Sequence, residues 1–177
     1  EISNVTPWIE LASDLGIDLD AVQVAEPRVF KSHLSWHDVP KNARYIVPFR
    51  APSDAFISVY RFFEGFMFEP GTIDLDTFFR WRNPPAEMGE RGYWHHLASW
   101  WEQRNNPNVL LLCYEDMLAD LPGTVRRVAA FMDIPLDDVL FARVVGQASR
   151  PFMLEHKHQF DEGPFRRLTA QRTGLPF

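Results

Sequence analysis

Apolar positions recur along the chain in two rhythms. Ala43–Phe49 and Val109–Tyr114 are near-continuous apolar runs, short enough for strands and apolar toward both faces. Elsewhere the spacing is helical. Ala55, Val59, Phe62, Phe63 and Phe66 predict an amphipathic helix over Pro52–Met67. Val125, Val128, Ala129 and Met132 share one face of a helix over Pro122–Met132, and another follows over Leu136–Val145. Tyr93–Arg104 reads as a helix carrying Trp94, Trp100 and Trp101, whose indoles are expected to be core, and Asp74–Arg82 as a shorter one. Pro7–Leu15 opens the chain as a short helix, with Thr6 at the N-cap and Pro7 in the first helical position. Arg28–Lys31 is a short strand candidate. Pro40, Pro70–Gly71, Asn83–Arg91 and Asn105–Asn108 mark turns and loops. From Ser149 onward the pattern is polar and predicts loop with helical turns.

Strands that read as continuous apolar runs and alternate with helices describe a parallel sheet covered on both faces. With no internal repeat, low-complexity tract or linker, residues 1–177 are expected to form one α/β domain. Pro48 marks the end of its strand or an edge.

Composition narrows the classes of function. The 177 residues are 46% hydrophobic and 24% charged, in the globular range. No uninterrupted apolar run, Val109–Cys113 included, approaches the roughly 20 residues needed to cross a bilayer. Net charge is −6, which excludes a general nucleic-acid binder but not a local anion site. The lone cysteine, Cys113, cannot form an internal disulfide and fits a reducing, cytoplasmic compartment. The chain begins at Glu1 rather than Met and ends on Leu-Pro-Phe, so truncation at both ends is the expectation.

In open parallel sheets ligands bind at the carboxyl ends of strands. Lys31, Ser32 and His33 follow one such end, and Arg50 follows another, where Ala43–Phe49 runs into the helix holding Ser53 and Ser58. A guanidinium beside a helix N-terminus is a sensible anion site, because free N–H groups, the helix dipole and a planar fork favour the same charge.

The wording of these segments resembles a known family. Lys31-Ser32-His33-Leu34 is similar to the Lys-Thr-His-Leu stretch of the cytosolic-type sulfotransferases. Phe49–Tyr60 resembles their Arg-Asn-Pro-Lys-Asp-Val-x-Val-Ser-x-Tyr segment. Gly92-Tyr93-Trp94, His96 and Trp100-Trp101 match their Gly-x-Trp, His and Trp-Trp pattern, and Tyr114-Glu115-Asp116-Met117 their Tyr-Glu-Asp-Met strand end. The resemblance implies a single-domain fold like that of the P-loop nucleotide kinases. It implies sulfuryl transfer from 3′-phosphoadenylyl sulfate (PAPS), with PAP as product and no metal, to a hydroxyl of a small or lipid-like acceptor. It further implies that Arg50 and Ser58 hold the donor's 3′-phosphate, that Tyr114 contacts adenine, that His33 is the catalytic base and that Lys31 lies beside it. Chemistry agrees with these roles. In-line transfer needs positioning and charge neutralisation, histidine titrates near neutrality, and residues two apart in an extended segment point to one side.

The family's strand–loop–helix that cradles the 5′-phosphosulfate, and its late basic loop, have no counterpart here. A non-catalytic nucleotide- or protein-binding relative that lost the donor loop therefore stands as the alternative, while a kinase would need a Walker-type loop that is absent from the sequence. Glu115 and Asp116 are expected to cap and tether the following turn rather than act as an acid–base pair. His95 and His96 point too far apart to chelate, and His156-x-His158 has no third ligand at a suitable spacing. The aromatic surplus of Phe56, Phe62, Phe63, Phe66, Phe68, Phe78 and Phe79 fits either an apolar acceptor pocket or a helix–helix or dimer contact.

Overall fold

The computed structural model describes residues 2–64, 67–83, 92–160 and 163–174. Among the described residues the sheet has two parallel strands, β1 (Tyr45–Phe49) and β2 (Val109–Cys113), in register from Tyr45 opposite Val109 to Phe49 opposite Cys113. The helices are α1 (Ala12–Leu15), α2 (Pro52–Phe63), α3 (Leu75–Arg82), α4 (Tyr93–Trp101), α5 (Tyr114–Ala119), α6 (Leu121–Phe131), α7 (Asp138–Gln147), α8 (Arg150–Glu155) and α9 (Gly163–Thr173). The α/β class and the parallel pairing are as the apolar runs predict. Among the described residues β1 pairs with β2 alone, and Pro48, which has no N–H, sits on that edge strand opposite Leu112. No helix among the described residues is long and apolar enough to cross a membrane.

Several boundaries differ from the sequence expectation, each for a local reason. The predicted helix over Pro7–Leu15 is a 3-10 turn at Ile9–Leu11 followed by the short α1, and Thr6 does not cap it. The Pro7 carbonyl instead accepts the Lys31 N–H, and the Lys31 carbonyl accepts the Ile9 N–H. That exchange is also all that remains of the strand expected at Arg28–Lys31: one parallel bridge between Trp8 and Lys31. The second apolar run stops at Cys113, and Tyr114 opens α5, a helix the sequence pattern did not disclose. Past Ser149 the chain is more helical than its polarity suggests, with α8 and α9 built there. Part of the loop at Asn83–Arg91, and Phe66, lie outside the described residues.

Helix ends show how side chains replace missing backbone bonds. The Asp74 carboxylate accepts the Thr77 N–H at 2.7 Å ahead of α3, and Asp137 accepts the Leu140 N–H at the start of α7. At α6 the Asp120 carboxylate accepts the Gly123 N–H at 2.8 Å. A Cβ on Gly123 would lie 2.0 Å from the Asp120 Oδ2, so the glycine is what lets the cap close.

The chain forms two compact units, one of Glu1–Leu34, Phe56–Arg82 and His156–Phe177, the other of Ser35–Ala55 and Asn83–Glu155. The first is organised on Phe78, which is fully buried. Its ring lies within 6.0 Å of the rings of Phe56, Tyr60, Phe63, Phe68 and Trp81. The aromatic run therefore makes one hub of α2 and α3, with Phe62, Phe79 and Trp81 left exposed at its edge. The second unit buries Val47, Val109 and Leu112 of the sheet together with Trp100 of α4 and Val125 and Ala129 of α6. Trp100 meets Trp36 and Tyr45 in a triangle of rings about 5.4 Å apart. Trp94 and Trp101, expected in the core, are 62% and 55% exposed. They are seven residues apart and so share one helix face, about 100° away from Trp100.

Phe78→Ala is expected to cost about 3–5 kcal/mol, because it removes the centre of a packed cluster. Phe79→Ala, at a half-exposed neighbour, should cost well under half as much. Urea unfolding midpoints of the two variants check the contrast, and equal losses would show that Phe78 is not the hub.

Candidate functional site

At the corner where β1 turns into α2, polar side chains from two other helices converge on the backbone. Arg50 follows the last strand residue, and Ala51 precedes Pro52, whose fixed φ and missing N–H suit the first helical position. The peptide group joining Arg50 to Ala51 is held at both polar atoms. The Tyr93 hydroxyl donates to the Arg50 carbonyl at 2.6 Å, and the Ala51 N–H donates to the Glu115 Oε1 at 3.0 Å. The Cys113 thiol donates to the other oxygen of Glu115 at 3.0 Å. Thus α4 and α5 each send one side chain to a single peptide plane.

The Arg50 side chain lies over Tyr114, with the guanidinium carbon 4.8 Å from the ring centroid, and its terminal nitrogen is 3.8 Å from the Asp54 carboxylate. The Arg50 Nε is buried with no hydrogen-bond partner. Such an orphan donor carries a cost unless a further acceptor arrives. The structure thus brings together Arg50 and Tyr114, which lie far apart in the sequence. It also gives Tyr114 a first neighbour, since one face of the phenol meets the guanidinium. Glu115 acts differently from the expectation: it ties down the turn before α2, across the sheet, rather than the turn that follows it.

These contacts set the charge of the corner. The Glu115 carboxyl is held below the usual carboxylate range, first by the Ala51 N–H, then by the Cys113 thiol, its own N–H and the Arg50 charge, against a smaller opposing effect of desolvation. The Tyr93 phenol is pushed up first by burial and then by the charge of Glu115, so it stays a donor.

Lys31 and His33 meet in the first unit on a residue the sequence did not single out for chemistry. The Lys31 Nζ stands 4.1 Å from the Trp8 ring centroid, and the His33 ring meets the same indole edge-on at 4.7 Å. Both side chains therefore leave the segment on one side, as an extended backbone requires. Phe165 closes on Trp8 from α9 at 5.2 Å. The His33 backbone N–H donates to Glu10. His33 is exposed, and Lys31 and Trp8 are half-buried. Ser58 lies exposed on α2. The sequence gives Trp8 no chemical role because Pro7-Trp8 has the pattern of a helix start, whereas its backbone pairs with Lys31. Nothing in the sequence links Tyr93 to Arg50, 43 positions apart. Among the described residues no three His, Cys, Asp or Glu side chains gather where they could hold a metal ion.

With this geometry in place, comparison with known proteins is specific. The profile of the sulfotransferase domain family matches residues 1–162. A 3-alpha-hydroxysteroid sulfotransferase of Cavia porcellus is 30% identical over 157 residues, covering 86% of this chain and 53% of the relative. Sulfotransferase 6B1 of Danio rerio is 27% identical over 145 residues, covering 79% of this chain and 49% of the relative. The chain thus spans about half the length of these curated relatives. Among solved structures, a retinol dehydratase in complex with androsterone and inactive cofactor PAP superposes with a TM-score of 0.62 at 21% identity. That match covers 89% of this chain and 57% of the dehydratase. A mouse sulfotransferase complexed with PAP gives 0.60 at 24% identity, covering 71% of this chain and 46% of that one. At these identities the two structures establish the fold.

The lowered Glu115 carboxyl makes a pH prediction. The unfolded chain binds the proton more readily than the fold does, so this contribution to stability is full above the ordinary carboxylate range and is lost as pH falls through the folded value. Glu115→Gln should therefore flatten the acid limb of stability from the ordinary glutamate value, about pH 4.3, downward. Urea midpoints measured across that window check it; parallel acid limbs in the two proteins would show that the carboxylate carries no such load.

Proposed function

The chain belongs to the sulfotransferase domain family, and from that premise we propose that the protein transfers a sulfuryl group from PAPS to a hydroxyl of a small or lipid-like acceptor, leaving PAP. The observation that carries this is the Arg50 corner. A guanidinium at a strand's carboxyl end, beside the first turn of α2, keeps a buried Nε without a partner. A phosphate oxygen would satisfy it, and the helix N-terminus favours the same negative charge. Arg50 and Ser58 are assigned to the donor's 3′-phosphate and the Tyr114 ring to adenine. Relatives lend support through their names and complexes: a hydroxysteroid sulfotransferase, a luciferin sulfotransferase, and two folds bound to PAP.

His33 and Lys31 divide the chemistry. The acceptor oxygen forms its bond to sulfur as the sulfur's bond to the 5′-phosphate oxygen breaks. A neutral His33 imidazole takes the acceptor's proton, and the electron pair of the broken bond leaves with PAP. The Lys31 ammonium neutralises charge that grows along the line of transfer. Trp8 holds both groups on one side of their segment, so the base and the cation reach the same reactant. His33 is exposed, which leaves its ring accessible to an acceptor.

Calorimetry with PAP tests the donor assignment. Arg50→Ala should weaken PAP binding by about tenfold to a hundredfold, the loss of a bidentate charged contact, with little change in thermal stability. Unchanged affinity would remove Arg50 from the site. For the chemical step, His33→Asn should lower kcat by about 10²–10⁴ while PAP affinity holds. Normal turnover in that variant would make the histidine structural. PAP binding by a wild type that turns over no hydroxyl acceptor would favour a nucleotide-binding module instead.

A further inference from the structure

The peptide between Arg50 and Ala51 is the most heavily engaged polar group at the corner. A peptide is planar and stiff, so fixing its carbonyl and its N–H fixes its orientation. Two side chains do this from different helices: Tyr93, the first residue of α4, through its hydroxyl, and Glu115 of α5 through one carboxylate oxygen. Tyr93 enters α4 behind Gly92, whose φ of 110° is a conformation that favours glycine. The Glu115 carboxylate is itself held from the other side by the Cys113 thiol. Without these anchors, the peptide plane would lose the two bonds that orient it, and the direction in which the Arg50 side chain leaves the backbone would be less closely set. Among the described residues the Arg50 side chain has weak restraints of its own, a 3.8 Å approach to Asp54 and the Tyr114 face.

We propose that Tyr93 is a positioning residue for nucleotide selectivity: its hydroxyl, with Glu115 opposite, sets the Arg50–Ala51 peptide so that the Arg50 guanidinium meets a 3′-phosphate. This rests on the assignment of Arg50 to that phosphate, made above. Tyr93 touches no reactant. It contributes to the preference for a 3′-phosphorylated adenine nucleotide over one lacking that group, and it does so only through Arg50.

Tyr93→Phe deletes the hydroxyl and keeps the ring. Binding of PAP and of adenosine 5′-monophosphate, which lacks the 3′-phosphate, is measured by calorimetry for the wild type, Tyr93→Phe, Arg50→Ala and the double variant. Tyr93→Phe should weaken PAP binding by about fivefold, the worth of one hydrogen bond, and leave the monophosphate unchanged. In the Arg50→Ala background the same substitution should change nothing. Glu115→Ala, which frees the other end of the peptide, should reproduce the selective loss, whereas Glu115→Gln, which keeps an acceptor, should largely spare it. Equal weakening of both nucleotides by Tyr93→Phe, no weakening of either, or a full loss that persists in the Arg50→Ala background would each overturn the positioning role while leaving the donor assignment standing. Unchanged PAP affinity in Arg50→Ala would overturn the donor assignment, and the positioning role with it.

Discussion

The site depends on one peptide plane. Where β1 gives way to α2 the backbone must change direction within two residues, and a helix N-terminus leaves amides that need acceptors. The ordinary solution is a side-chain cap from the residue at the turn. Here that residue is Ala51, whose side chain offers no acceptor to the amides that follow, while its own N–H is accepted by Glu115 on a neighbouring element. The parallel register makes this practical, because it sets the end of β1 level with the end of β2, Phe49 opposite Cys113. Glu115, two residues past Cys113, is then within reach of Ala51. Sheet register, helix start and the direction of Arg50 are one constraint seen at three scales.

A parallel logic operates in the other unit with different materials. There the backbone exchange between Pro7, Trp8, Ile9 and Lys31 supplies the fixed point, and the indole of Trp8 supplies the surface. A cation over an aromatic face and a ring at its edge use different parts of the same quadrupole. One tryptophan can therefore hold Lys31 and His33 without spending either side chain's hydrogen-bonding capacity on it.

The sequence carried the periodic parts of this fold well. The two apolar runs became the two strands, and α2, α3, α6 and α7 lie within a few residues of their predicted spans. What periodicity missed was governed by long-range pairing or by polarity. Pro7 and Trp8 looked like a helix start because proline suits that position, yet a partner some two dozen residues away drew their backbone into a bridge. Tyr114 continues an apolar run and so has a strand pattern, although the first turn after it is acidic, which is a signal for a helix start. Of the candidate site, Lys31 with His33 was legible as a pair because two-residue spacing puts both on one side of an extended segment, whereas Arg50 and Tyr114 each stood out only as a residue at a strand end and nothing in the sequence paired them. Tyr93 and Trp8 were not legible, since their importance lies in which backbone they touch, and no local pattern encodes that.

Asp120 and Gly123 show the same kind of dependence on a smaller scale. The carboxylate occupies the space where a side chain at position 123 would begin. The two residues therefore behave as a single inherited unit. A homologue that acquires a side chain at the glycine must give up this cap or find another, and one that loses the aspartate frees the glycine to drift. Across related chains the pair should covary as if it were one site, even though one member has no side chain with which to make a contact.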